Sequence, residues 1–106
     1  MASRTPQVLG EGQLPSAKGT LYTTPAATSA YVSLISIVNT GGSSQDVTVY
    51  ANFSGTSRNL FHVDGLAQNE RIDFEAGLIL ETGDLIEGVT TTATQVDYII
   101  TGVEEV

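Results

Sequence analysis

The sequence predicts an all-β fold, a small antiparallel β-sandwich of the jelly-roll or Greek-key type with an extended N-terminal arm. Charged residues make up only 15% of the 106-residue chain, and Thr, Ser, Gly, Val and Ile fill their place, a mixture typical of short strands and turns. Residues 46–53 alternate apolar and polar side chains, the period of a strand with one buried face. Turn residues recur about every ten positions, as in a sandwich. We place the arm at residues 1–18 and the sandwich at 19–106.

The arm is predicted from its proline and glycine content, which interrupts regular structure throughout residues 1–18. Val8, Leu9 and Leu14 are its residues suited to burial. Ordering some eighteen residues costs roughly 1–2 kcal/mol each, more than burial of three apolar side chains returns. We therefore expect the arm to be extended or flexible alone and to order on a partner.

A central hairpin is predicted over residues 29–53, with two strands joined by a polar turn at 39–45. In its first strand, Ile35 and Ile37 point one way, while Val32, Leu34 and Val38 point the other. Apolar side chains on both faces are typical of a central strand or of a strand covered by another subunit.

The other strands are short and separated by turns, and the last one alternates clearly. Val96, Tyr98 and Ile100 share one face of it, which leaves Ile99 and Val103 on the outer face. Besides the hairpin, the predicted strands are 21–24, 58–63, 71–75, 78–80, 85–89 and 95–103. The total of seven or eight strands, with no helix, suits a sandwich.

Apolar residues on nominally outer faces predict a protein interface. Leaving Val32, Leu34 and Val38 in water forgoes roughly 1.5–3 kcal/mol per side chain relative to full burial. We therefore expect a homo-oligomer, with a trimer favoured, formed through the strand Tyr31 to Val38 and residues 1–18. The predicted interface residues are Val8, Leu9, Leu14, Val32, Leu34, Val38, Ile99 and Val103.

Charge and composition exclude several classes of function. The formal charge is −8, and residues 63–106 carry one basic residue against ten acids, so we expect no nucleic-acid partner. No apolar run approaches the ~18 residues of a membrane span, so we expect no membrane partner. The chain has no cysteine, which removes disulfides, thiolate nucleophiles and thiolate-bound zinc.

The histidine, serine and carboxylate residues are the candidates for a catalytic or metal site. His62 and Asp64 could share a strand face near Ser54 or Ser57, but no nucleophile-elbow sequence accompanies them. The carboxylates form two groups, neither with the spacing of a calcium loop: Asp73 and Glu75, and Glu81, Asp84 and Glu87. We predict no catalytic residue, no cofactor and no metal. Surface tyrosines such as Tyr50 leave carbohydrate binding as an alternative.

Two stretches, a Leu-x-x-Gly-Asp-x-Ile-x-Gly turn and a closing VDYI strand, resemble small virion proteins of tailed bacteriophages. The likeness covers roughly residues 20–105. The matching residues are Leu80, Gly83, Asp84, Ile86, Gly88, Val96, Asp97, Tyr98, Ile99, Gly102 and Glu104.

The resemblance implies a non-enzymatic virion protein of the head decoration, or cement, type. Its implied partner is the major capsid protein, and its implied location is the outer capsid surface after synthesis in the host cytoplasm. The alternative is a phage tail protein or a module that binds a host receptor or carbohydrate. A decoration protein requires a rigid sandwich, an apolar interface and an arm, and the short loops favour it over a receptor-binding tip.

Overall fold

Eight antiparallel strands account for most of the chain. The structure is a computed structural model that describes residues 4–106, with side chains from residue 6 onward. No helix in the described residues has the length and apolar character to cross a membrane. The strands are β1 (Arg4–Gln13), β2 (Gly19–Thr23), β3 (Ser29–Asn39), β4 (Gln45–Phe53), β5 (Thr56–Leu66), β6 (Arg71–Leu80), β7 (Leu85–Thr90) and β8 (Val96–Glu105).

The strands form two four-stranded sheets packed face to face, which confirms the predicted sandwich. The first sheet has the order β1-β8-β3-β6 and the second the order β2-β7-β4-β5. Within residues 4–106, β4 and β5 are the only consecutive strands paired in one sheet, and every other connection crosses between sheets. This arrangement of eight strands in two sheets is a jelly roll.

The prediction that the two strands between residues 29 and 53 pair as a hairpin is wrong. β3 lies between β8 and β6 in the first sheet, whereas β4 lies between β7 and β5 in the second. The turn at residues 40–44 therefore carries the chain from one sheet to the other. The prediction that the first of these strands is central is confirmed. Period-two patterns identify a strand and its buried face, but they do not identify its neighbour.

The N-terminal segment differs from the predicted arm, because most of it is an edge strand of the sandwich. β1 is paired with β8 over nine residue pairs, from Arg4 with Glu105 to Gln13 with Asp97. Leu14, just after β1, is buried in the core. Backbone pairing along a whole strand, together with a buried leucine, offsets the ordering cost on which the arm prediction rested.

A transverse line of extra residues crosses the first sheet at one level, and we call it the crease. Relative to β8, Leu9 is an extra residue in β1 and Ser33 is an extra residue in β3. β6 gains a further residue opposite Ser33, beside Gly77, whose φ of 57° is in the left-handed region. Each extra residue is a β-bulge, which bends its strand and shifts the register.

The crease changes which apolar residues of β3 face outward, although Leu34 and Val38 lie on the outer face as predicted. Strict alternation would put Val32 and Ile35 on opposite faces, but the bulge at Ser33 turns both toward the core. Val32 is 0% exposed. Tyr31 is left on the outer face in its place.

The core between the sheets is aliphatic and continuous, with rings at its margin. Val47, Val49 and Ile86 from the second sheet face Ile35 and Ile100 from the first, all fully buried. Along the open side between β5 and β6, the rings of Phe61 and Phe74 stack with centroids 4.5 Å apart, a favourable aromatic geometry.

A tyrosine–carboxylate contact ties the two sheets together beside β1. The Tyr22 hydroxyl donates to Glu104 Oε2 at 2.5 Å, and Gln7 Nε2 donates to Glu104 Oε1 at 2.8 Å. Burial and then the adjacent Glu104 carboxyl raise the pKa of Tyr22 well above its ordinary value. The phenol therefore stays protonated and acts as a hydrogen-bond donor across the pH range in which proteins function.

Buried polar side chains close the loops at both ends of the sandwich. At one end, the Asp84 carboxylate accepts backbone N–H groups from Ser54 and Glu81, at 3.1 and 3.0 Å. At the other end, the Asn39 amide donates to the carbonyls of Ser43 and Leu66, both at 2.8 Å. These bonds satisfy loop backbone groups that would otherwise be unpaired.

Gly102 lies on β8 beside the crease, where the backbones of β8 and β3 approach closely. A Cβ at residue 102 would lie 2.0 Å from the Tyr31 carbonyl oxygen, whereas a Cβ at Gly42 would meet nothing within 4 Å. We expect Gly102→Ala to lower the free energy of unfolding by at least roughly 1–3 kcal/mol, the usual cost of overpacking. Gly42→Ala is the control, with a change of at most about 1 kcal/mol. Urea denaturation of both variants checks this, and equal stabilities would contradict the close approach.

Candidate interaction surface

One row of apolar side chains crosses the outer face of the first sheet from edge to edge. Backbone register places Pro6 opposite Val103, Val103 opposite Tyr31, and Tyr31 opposite Ile79. Residues paired directly across antiparallel strands point to the same face. We call these four residues the apolar band.

The exposed apolar residues of the protein concentrate on this face. Among the described residues, five large hydrophobic side chains are exposed, and four of them lie here: Val8, Tyr31, Ile79 and Ile99. The fifth, Val106, follows the last strand. Single exposed hydrophobic residues are normal on protein surfaces, but a set gathered on one face is typical of a binding surface.

The face has relief that another molecule could fill. A depression of about 340 Å³ is lined by Tyr31, Ile79 and Val103, together with residues at the start of β3 and the end of β8. A second, of about 460 Å³, is lined by Pro6, Val8, Tyr31 and Val103 among others. Tyr31 and Val103 belong to both and separate them.

Charged residues lie on one side of the band, the side away from the chain termini. By register, Glu11 and Asp97 share the outer face with Ile99, and Glu75 pairs with Leu34. Arg71 Nε donates to Asp73 Oδ1 at 2.8 Å on the same face. This bond, with a second from Ser36, holds the pKa of the Asp73 carboxyl below its ordinary value, so Asp73 stays ionised in mildly acidic solution.

The predicted interface residues divide into three groups. Val8 and Ile99 are exposed on the face, and Leu34, Val38 and Val103 are partly exposed there. Leu9 is partly buried against the core at the crease. Leu14 and Val32 lie in the core, so their prediction as contact residues is wrong. The bulge at Ser33 and the incorporation of β1 into the first sheet are the reasons.

Three residues of the apolar band were missed. Tyr31 appears outward only once the bulge at Ser33 is known, and Pro6 only once β1 is known to be a strand. Ile79 lies between Leu78 and Leu80, an apolar run in which alternation gives no signal. The pairing of Tyr31 with Ile79 shows the face to which it belongs.

The outer face of the second sheet is polar and internally hydrogen-bonded. Lys18 Nζ lies 4.7 Å from the centroid of the Tyr50 ring and donates to Ser57 Oγ at 3.1 Å. Ser57 Oγ in turn donates to Glu87, which also accepts from Asn52. The Lys18 ammonium occupies one face of the Tyr50 ring in a cation–π contact, which leaves at most the other face for a sugar to stack on.

His62 is joined to Asp64, as the sequence suggested, but its second neighbour is Thr48 instead of Ser54 or Ser57. Its Nδ1 lies 2.7 Å from Thr48 Oγ1, and its Nε2 lies 2.7 Å from Asp64 Oδ1. Ser57 is instead bonded to Lys18 and Glu87. The three linked side chains lie across β4 and β5 with the imidazole about half exposed.

The sequence matches no protein-family model and no curated protein. Solved structures do match, and a chain from the acid-stable capsid of Helicobacter pylori bacteriophage KHP30 has a TM-score of 0.63 at 13% identity. That match covers 100% of this chain and 94% of the phage chain.

Two further matches come from a pilus and from another virus. Disulfide-linked pili of Bacillus endospore appendages match with a TM-score of 0.58 at 10% identity, over 97% of this chain and 86% of theirs. Infectious bursal disease virus, Gx strain, matches with a TM-score of 0.51 at 12% identity, over 99% of this chain but only 32% of the viral chain. At these identities the matches establish a shared fold, found in subunits of capsids and of a pilus.

The placement of Leu14 and Val8 gives a paired test of the surface. Leu14→Ala should lower the free energy of unfolding of the isolated protein by about 2–5 kcal/mol, because it leaves a cavity in the core. Val8→Ala, six residues earlier and exposed on the outer face, should change it by less than about 0.5 kcal/mol. Thermal or urea unfolding of both variants measures the difference. A stable Leu14→Ala protein would return Leu14 to the predicted contact surface.

Proposed function

We propose that this protein is a non-enzymatic virion structural protein that decorates the head, attached to the outer capsid surface by protein–protein contacts. The apolar band is the observation that carries the proposal. It gives a rigid jelly roll one apolar outer face and leaves the opposite face polar. A protein that stabilises an assembly by attachment needs such a face and no reaction chemistry.

The similarity to the phage KHP30 capsid chain supports the assignment. The match covers nearly the whole of both chains, so the two have similar lengths and the phage chain is not a large shell protein with this fold as one part. A small jelly roll that is a complete chain within a capsid suits an accessory role. The resemblance of the Leu80–Gly88 turn and the closing strand to small phage virion proteins points the same way.

The proposed partner is the major capsid protein, and the proposed location is the outer capsid surface after synthesis in the host cytoplasm. We retain the homo-oligomer, with a trimer favoured, as a prediction. Its support is reduced because Leu14 and Val32 are buried, and because Leu34 and Val38, which remain, share the outer face that we propose binds the capsid. Light scattering of the full chain in solution tests it, and a strict monomer at high concentration would contradict it.

A tail or host-contact role is the alternative. Its carbohydrate-binding form requires Tyr50 as a stacking surface, and Lys18 already covers one face of that ring. A glycan array tests this role. Specific binding that Tyr50→Ala abolishes would favour it over decoration.

Mass spectrometry of purified virus particles tests the proposed function directly. We expect this chain in a copy number comparable with that of the major capsid protein, because decoration proteins cover the shell. A few copies per particle would favour a tail or neck role. Absence from the particles would overturn the virion assignment.

Substitution in the apolar band tests the surface. Ile79 is 63% exposed and Val106 is 66% exposed, so the two form a matched pair on and off the band. Full burial of an isoleucine stabilises by roughly 1.5–3 kcal/mol relative to exposure, so Ile79→Ser should weaken capsid binding by about 10- to 100-fold. Val106→Ser should bind normally.

Unfolding measurements on both variants check that a loss of binding does not come from a loss of stability. Both substitutions are at exposed sites and should leave the free energy of unfolding nearly unchanged. Equal capsid binding by the two variants would show that the band is not the attachment surface.

A further inference from the structure

We propose that the surface that covers the apolar band belongs to a different protein and that its margin is rich in lysine and arginine. This inference rests on the proposed function, since it describes the partner of the same face. The apolar band alone does not specify the charge of the partner, nor whether the partner is a second copy of this chain.

The margin of the band is acidic. Glu11 on β1, Asp97 on β8, and Asp73 and Glu75 on β6 all point to the outer face by register. Among the side chains that the structure describes on this face, Arg71 is the one cation, and it is already bonded to Asp73. Glu11 and Glu75 are exposed on the two edge strands, at opposite edges of the sheet and on the same side of the band.

A two-fold contact between two copies of this face would be unfavourable. Such a contact joins the same patch on both subunits, so two faces that are each net acidic would be brought together. Like charges brought together at an interface with little water oppose binding.

A contact with a different surface of a second copy is also poorly supported. The chain has four basic residues against twelve acidic ones. Lys18 is engaged with Tyr50 and Ser57, and Arg71 belongs to the acidic face itself. Among the described side chains, Arg58 is then the remaining cation, too few for a basic margin. A partner with its own lysines and arginines supplies what this chain lacks.

Binding measurements on particles from which this protein has been removed test the charge. We expect the full chain to bind them at about 50 mM NaCl and to bind less tightly at about 500 mM, where the Debye length is several times shorter. The double variant Glu11→Gln, Glu75→Gln should bind about 2- to 10-fold more weakly at low salt, the effect of two exposed ion pairs. Asp64→Asn, which changes an exposed carboxylate on the second sheet, is the control and should bind as the wild type does.

Zero-length carbodiimide cross-linking in intact particles identifies the partner. This reagent joins carboxylates to amines, and Lys18 is the only lysine of the chain. Cross-links from Glu11, Glu75 or Asp97 to lysines of another protein are the expected result. Cross-links from these residues solely to Lys18 or to the N-terminal amine of this chain would show that a second copy covers the band, and would overturn the inference.

The two proposals fail differently. If the wild-type chain does not bind the particles even at low salt, the proposed function is overturned and the partner inference with it. If the chain binds but neither salt nor the double variant weakens binding, attachment stands and the basic partner is overturned. In that case the carboxylates serve only to keep an exposed apolar face soluble.

Discussion

The first sheet depends on the constraint that successive side chains of a strand point to opposite faces. Without extra residues, β3 would place Val32 outside and Tyr31 inside, and the core would have to accept a phenol where it now holds a valine. The crease resolves this by adding Leu9 to β1 and Ser33 to β3 at one level of the sheet. A shift of one residue moves a whole strand segment to the other face, so a single line of bulges decides which residues form the core and which form the apolar band.

The crease also requires close backbone contact at its centre. β8 passes through it without an extra residue, and Gly102 allows the Tyr31 carbonyl to approach where any Cβ would collide. The partly buried Leu9 packs against this point and helps to hold β1 on the sheet. Gly102, which makes the crease possible, is therefore next to Val103 of the band. A substitution at Gly102 would change both the stability of the sheet and the shape of the exposed surface.

The two outer faces of the sandwich have different properties, and this difference supports attachment by one face. The polar side chains of the second sheet are bonded to one another, from Lys18 through Ser57 to Glu87 and from Thr48 through His62 to Asp64. Such a face loses little by staying in water. The face of the first sheet has exposed apolar residues without such contacts and gains by being covered. Buried Asp84 and Asn39 close the loops at the two ends, so the sheets can present these faces as rigid surfaces.

The sequence by itself determined the all-β fold class and the alternation of β4 and β8, because these follow from local periodicity and turn residues. It also placed Ile99 and Val103 on the outer face of the last strand. It missed β1 and divided β6 into two strands, so its total of seven or eight strands agrees with the structure only because the two errors offset each other. Only the tertiary structure decided that β3 and β4 lie in different sheets, that β1 is a strand of the sandwich, and that Tyr31 and Val32 exchange faces. Strand partners and bulges depend on contacts between residues far apart in the chain, such as Val32 with Gly102 and Tyr31 with Ile79. No local pattern records those contacts, and so the apolar band became visible only when four distant strands were placed side by side.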